Sequence, residues 1–159
     1  MPAQSESLLK VDVYSLFRYE YLWADGKKIK KPIQVSAEEY ANYLMTWVQE
    51  IFGDETIFPV NDGMFLTCSK SLTFLKDTPF PANFKSTVKN IFKRLFRIYA
   101  HMFYSHTEQI IELGVEAHVN SAFKHFYLFI REFDLVEKGD MAPLQHLIDK
   151  IEKQVGPKE

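Results

Sequence analysis

The residues best suited to chemistry in this sequence are three cations on one predicted helix. The stretch Asn83 to His106 carries apolar residues at steps of three and four, which predicts a helix lying against a core. On its other side Lys93, Arg97 and Arg94 fall at roughly 0°, 40° and 100° around the axis. Two guanidinium groups and an ammonium group suit a phosphate dianion, because they form charge-assisted bonds with it. A solvated face that keeps the helix soluble is the alternative, and the spacing alone favours it.

Histidine is the other candidate for chemistry. His101 and His106 stand five apart, which separates them by roughly 140° on an unbroken helix. They could converge on a metal only if the helix ends between them, and two ligands fall short of the four of structural zinc. The lone Cys68 has no neighbouring motif that would activate it. No phosphate-binding glycine loop, nucleophile elbow or Cys-x-x-Cys pair occurs. We therefore predict that this is not an enzyme, and expect no cofactor.

Composition narrows the class of protein. The chain has 159 residues, of which 47% are hydrophobic and 15% aromatic, so we expect one domain with a dense core. A net charge of −2 implies no bulk attraction to nucleic acid or to a membrane surface. One cysteine excludes an internal disulfide and favours a reducing compartment. No apolar run reaches the length of a membrane span, and no signal peptide opens the chain. We expect a soluble cytoplasmic protein, with the nucleus left open as a second compartment.

The chain before the basic helix predicts a hairpin and another helix. Residues 11–36 favour strand, turn and strand, with Asp25-Gly26 as the tight turn. Ser36 and Glu39 have the spacing of a capping box, and Gly53 ends the helix that follows. The predicted buried stripe of this helix consists of Tyr40, Tyr43, Leu44, Trp47, Val48 and Ile51.

The chain after the basic helix predicts further helices. Near Gly114 it forms either two helical stretches or one that bends, and Lys138-Gly139 ends the second stretch. That stretch includes an almost wholly apolar turn of Asn120, Phe123, Lys124, Phe126, Tyr127, Phe129 and Ile130. A last helix starts near Pro143 and packs through Leu144, Leu147, Ile148 and Ile151. We predict an all-α fold, a helical bundle with a peripheral β-hairpin.

Consecutive blocks of the sequence resemble the Mob family of kinase activators. They are RYEYLWADGKKIKKPIQVSAEEYANYLMTWVQ, GDETIFP, PFPANFKSTVKNIFKRLFRIYAHMFYSH, EAHVNSAFKHFYLFIREFDLV and MAPLQHLIDKI. The match covers Arg18 to Ile151 apart from a connector. The branch that this chain resembles most acts with NDR and LATS kinases in Hippo and mitotic-exit signalling. The resemblance implies a non-catalytic adaptor that binds the N-terminal regulatory segment of such a kinase and promotes its activation.

The resemblance also implies two sites. One is a pocket for a phosphothreonine peptide of an upstream Hippo-type kinase, and its basic motif matches Lys93, Arg94 and Arg97. With this match, the phosphate interpretation of the three cations outweighs the solvated face. The other is a structural zinc site, whose two histidines match His101 and His106 and whose two cysteines are absent here. We therefore expect an incomplete metal site without tightly bound zinc.

The sequence departs from the family pattern in two segments. Residues 1–17 replace a longer, acidic, cysteine-containing N-terminal part, and an insertion near residues 64–78 stands where the family turns directly from FP to PFP. The predicted domains are a divergent segment 1–17, a Mob-like domain 18–153 and a tail 154–159. The two departures also resemble an alternative transcript. The alternative function is thus a degenerate or alternatively spliced isoform with weakened kinase binding and no regulatory activity.

Overall fold

The structure is a computed structural model that describes residues 21–58 and 80–156. These residues form a predominantly helical fold with one small antiparallel sheet, which confirms the predicted all-α class and its hairpin. They fall into two compact units, one of residues 21–88 and one that begins at Lys89. The predicted segments 1–17 and 64–78, the latter with Cys68, lie outside the described residues. Within the described part, no helix is long and apolar enough to cross a membrane.

The hairpin of the first unit is built around its turn. Strands β1 (Tyr21–Trp23) and β2 (Ile33–Val35) pair antiparallel, with Leu22 opposite Gln34. Between them, the Asp25 carboxylate accepts hydrogen bonds from the backbone N–H groups of Lys27 and Ile29, each at 2.8 Å. Gly26 has a φ of 77°, a left-handed conformation that glycine adopts without a steric penalty. The predicted Asp25-Gly26 turn is therefore confirmed.

Helix α1 spans Ala37–Phe52 and begins with the predicted capping box. The Ser36 hydroxyl accepts from the Glu39 N–H at 3.2 Å, and the Glu39 carboxylate accepts from the Ser36 N–H at 2.8 Å. The helix buries Tyr40, Leu44, Val48 and Ile51. Trp47 is only half-buried. The prediction of burial was wrong for Tyr43, because this ring stacks on Trp23 at 5.8 Å while its other side is open to solvent.

Three phenylalanines join the two described ranges of the first unit. The ring centroids of Phe58 and Phe84 lie 5.3 Å apart, and those of Phe80 and Phe84 lie 4.2 Å apart. Phe84 is also the first residue of helix α2, which spans Phe84–Ser105. Phe58 and Phe80 therefore both lie beside the first residue of α2.

Helix α3 of the second unit ends in a glycine-containing turn that separates it from the next helix. Helices α3 (Thr107–Glu112) and α4 (Glu116–Glu132) are separated by Gly114, which has a φ of 66°. The Val115 N–H reaches back to the Ile110 carbonyl at 3.2 Å, the long bond of a Schellman motif. The sequence left open either two helical stretches or one bent helix near Gly114, and the structure shows two separate helices.

Helix α4 ends earlier than the sequence predicted. The Leu135 N–H bonds to the Ile130 carbonyl at 3.0 Å, and Asp134 holds a φ of 51°. This is the same motif with aspartate in the left-handed position that glycine normally takes. The predicted break at Lys138-Gly139 was wrong, since both residues lie inside the short helix α5, Lys138–Met141.

The core of the second unit lies where α2, α4 and the last helix present their apolar residues. Phe123 is fully buried, and its ring centroid lies 5.4 Å from Tyr99 and 5.2 Å from Phe103. A 3-10 turn (Ala142–Leu144) contains Pro143 and leads into α6, Gln145–Val155. The predicted packing residues of this end are confirmed as buried: Leu144, Leu147, Ile148 and Ile151. Phe129 was expected in the apolar turn of α4, but it is 46% exposed.

Candidate functional site

The three predicted cations lie close together on one side of α2. The helix buries Ile91, Phe96, Ala100 and Phe103. Lys93 and Arg94 are half-buried, whereas Arg97 is exposed. A regular helix therefore holds the three charges on one side at fixed spacing, and solvent reaches Arg97 directly.

Lys93 has a carboxylate partner from another element. Its Nζ lies 2.8 Å from Oδ2 of Asp140 in α5, and the two side chains are 41% and 28% exposed. The position of Asp140 follows from the Schellman motif after α4 and from the fully buried Leu144 that follows α5. The ion pair thus connects the basic side of α2 to a segment that is fixed at both ends.

Arg94 has a partner on its own helix. Its Nε donates to Oδ1 of Asn90 at 3.2 Å, one helical turn earlier. Side chains four residues apart are neighbours on a helix surface, so this bond restricts the guanidinium orientation. Arg94 is therefore held in place before any ligand arrives.

A small cavity opens beside Lys93, between α2 and the segment that leads into α5. Its volume is about 200 Å³. Typical sites for drug-sized ligands enclose about 300–1,000 Å³, so this cavity suits one side chain or one small group. It is lined by Lys89, Asn90, Lys93, Leu135, Val136, Glu137 and Asp140. The lining combines two cations, two carboxylates, one amide and two apolar side chains.

The two histidines converge, because α2 ends between them. The helix stops at Ser105, and His106 stands at the N-cap position of α3 with a φ of −126°. Their Nε2 atoms lie 3.1 Å apart. Two nitrogen ligands of one tetrahedral zinc stand about 3.3 Å apart when each zinc–nitrogen bond is about 2.0 Å. The helix therefore ends between the two histidines, which was the condition for both of them to bind one metal ion.

The surroundings of His101 favour its neutral form. Partial burial, and then the charge of His106, lower the pKa of the His101 imidazole below its usual value. The Ser105 hydroxyl lies 3.3 Å from Nδ1 of His101, while Nε2 faces His106. A neutral imidazole with its second nitrogen hydrogen-bonded is the usual state of a metal-binding histidine.

The described residues bring no third metal ligand to this pair of histidines. Across residues 21–58 and 80–156 no group of three or more His, Cys, Asp or Glu side chains is arranged to hold a metal ion. Structural zinc needs four protein ligands. The chain's donors in the described part therefore fit half of a zinc site.

Sequence reasoning missed two residues of this region, Asn90 and Asp140. Asn90 could have been found, since it stands four residues before Arg94 on the same predicted helix. Asp140 belongs to a segment far along the chain, and no local pattern connects it to Lys93. Only the three-dimensional structure brings that carboxylate to the basic side of α2.

The fold and these contacts define a helical domain with a cationic face and a paired-histidine corner. Residues 11–144 match the Mob1/phocein family. The chain belongs to this family, which confirms the resemblance found in the sequence.

Two relatives show how far the similarity extends. The chain is 57% identical over 136 residues to MOB kinase activator-like 1 homolog B of Dictyostelium discoideum, covering 86% of this chain and 56% of that protein. It is 52% identical over 134 residues to MOB kinase activator-like 1A of Arabidopsis thaliana, covering 84% and 56%. The chain thus spans somewhat more than half the length of the curated relatives it matches.

Proposed function

We propose that this chain is a non-catalytic adaptor that regulates NDR/LATS-type protein kinases. In this proposal it captures a phosphothreonine peptide from an upstream Hippo-type kinase and acts in the cytoplasm, with the nucleus as a second compartment. The comparisons support the role as a kinase regulator, and the cations on α2 support the capture of a phosphopeptide. The chain belongs to the Mob1/phocein family, and similar proteins carry the name MOB kinase activator-like. The observation that carries phosphopeptide capture is the set of cations on α2, Lys93, Arg94 and Arg97.

Each of the three cations has a distinct part in this proposal. Arg97 is exposed, so its guanidinium can form a bidentate bond with a phosphate without first leaving a buried position. Arg94 is oriented by Asn90, which lowers the entropy lost when it binds. Lys93 adds an ammonium group with three donors, one of which faces the Asp140 carboxylate. Together they offer more positive charge than a carboxylate can neutralise, which favours a dianion.

Calorimetry with one threonine peptide in two forms tests this part of the proposal. The phosphorylated form should bind to the purified chain, and the unphosphorylated form should give no measurable heat. The affinity should fall as salt is raised, because the contacts are between charges in partly exposed positions. Equal affinities for the two forms would overturn the phosphopeptide proposal.

The kinase part of the proposal needs a separate experiment. The purified chain is mixed with an NDR-type kinase that includes its N-terminal regulatory segment, and both binding and kinase activity are measured. An adaptor should bind the segment and raise the activity. Binding of the phosphopeptide without any effect on the kinase would instead favour the alternative, a degenerate or alternatively spliced isoform with weakened kinase binding and no regulatory activity.

We further propose that the chain holds no structural zinc. His101 and His106 are spaced for one metal ion, but two imidazoles leave at least two positions to water and give little of the stabilisation of a closed site. Elemental analysis of protein purified without added metal should therefore find far less than one zinc per chain. One zinc per chain that survives dialysis against a weak chelator would contradict this and would point to Cys68 or a carboxylate as a further ligand.

A further inference from the structure

The phosphate-binding cations are not equivalent in the free protein. Lys93 lies 2.8 Å from the Asp140 carboxylate, whereas Arg97 is open to solvent. A carboxylate and a phosphate bind an ammonium group through the same oxygen-based, charge-assisted bonds. Asp140 therefore takes up one of the three donors of the ammonium group and neutralises the charge that a phosphate would also use.

From this contact we propose that Asp140 is an intramolecular competitor for the phosphate, so that a phosphopeptide must displace its carboxylate from Lys93. The inference rests on the proposed capture of phosphopeptides by α2. It adds a residue that sets the strength of this capture and that belongs to α5 rather than to the basic helix.

The exposure of the two partners makes this exchange possible. Side chains that are 41% and 28% exposed form an ion pair in contact with water, and such pairs contribute little to stability. Breaking the pair therefore costs little, and water solvates the released carboxylate. A buried pair would instead lock Lys93 away from any ligand.

The charges of the competing groups decide which ligand can complete the exchange. A carboxylate ligand would replace one monoanion by another and would still lose the entropy of association. A phosphate dianion brings a second charge, which Arg94 and Arg97 can bind at the same time. In the free protein Asp140 thus weakens the binding of any anion to the three cations.

Asp140 also keeps its place when no ligand is present. The Asp140 N–H donates to the Glu137 carbonyl at 3.0 Å, and the buried Leu135 and Leu144 anchor the chain on either side of α5. The carboxylate therefore stays near Lys93 and competes at a high effective concentration.

The variant D140N tests this inference by removing the charge while keeping the shape. Calorimetry should show that the phosphopeptide binds about two- to fivefold more tightly to D140N than to the unchanged protein, the size expected for an exposed ion pair. The matched control is E137Q, which removes the same charge from the same cavity. Because Glu137 is not the partner of Lys93, its gain should be smaller.

A double-mutant cycle with K93A separates direct competition from a general change in charge. If Asp140 acts by holding Lys93, the gain from D140N should largely disappear in the K93A background. A gain of the same size with and without Lys93 would overturn the inference, as would unchanged or weaker binding by D140N. If neither protein distinguishes the phosphorylated from the unphosphorylated peptide, both the proposed function and this inference fail. If both proteins make that distinction but D140N shows no gain, the inference fails alone.

Discussion

Replacing Lys93, Arg94 and Arg97 together by alanine should abolish measurable binding of the phosphothreonine peptide. A hydrogen bond to a charged group contributes about 1.5–3 kcal/mol, and the three side chains would supply several such bonds. Each 1.4 kcal/mol is about a tenfold change in affinity, so even one lost bond per residue weakens binding by roughly a thousandfold or more. Calorimetry with the phosphorylated peptide measures the loss.

The control for this triple variant is K85A on the same helix. Lys85 is an exposed cation like Arg97 but stands two turns before the three residues. We expect K85A to change the affinity by less than about twofold at physiological salt, because exposed charges beyond a Debye length are largely screened. Circular dichroism checks that both variants are folded, since Arg94 also bonds to Asn90. Binding by the folded triple variant within threefold of the unchanged protein would contradict the assignment.

The parts of the fold that local chemistry determines could be predicted from the sequence. The Asp25-Gly26 turn and the capping box of Ser36 and Glu39 need only a few adjacent residues, and both are present. The apolar spacing of α2 likewise predicted which side is buried and which carries the cations. These patterns suffice because each element satisfies its own backbone groups and buries one continuous stripe.

The end of α4 shows why other boundaries could not be predicted. Glycine is the usual residue in the left-handed position of a helix end, and the sequence offers one at Gly139. The structure uses Asp134 instead, because the buried Leu135 must turn back toward the core there. The residue at which α4 ends is thus decided by packing between distant elements, and the position of a glycine in the sequence does not predict it.

The histidine corner and the Asp140 contact are the parts of the candidate site that depend on such packing. No glycine or proline marks the break between Ser105 and His106, so the spacing could state only the condition under which the histidines meet. The contact of Lys93 with Asp140 depends on where the chain returns after α4. Sequence spacing therefore identified the cations but not the carboxylate that competes for one of them.

Truncating Phe123 to alanine should be among the most destabilising single changes in the second unit. Its side chain is fully buried on α4 and contacts three aromatic rings of α2, those of Phe96, Tyr99 and Phe103. Removal of a buried phenylalanine ring costs about 3–5 kcal/mol, from the lost transfer free energy and the cavity left behind. Against a total free energy of unfolding of about 5–15 kcal/mol, that is a large share. Urea denaturation followed by circular dichroism measures the difference.

The matched control is F129A, the same substitution on the same helix. Phe129 is 46% exposed and lies against Phe92 and Phe133 at the surface. Less apolar area returns to water there and solvent fills the space, so we expect a loss of about 1 kcal/mol or less. Equal losses for the two variants would show that α4 is not packed on α2 through Phe123. A much larger loss for F123A would confirm that this ring holds together the two helices that carry and support the basic face.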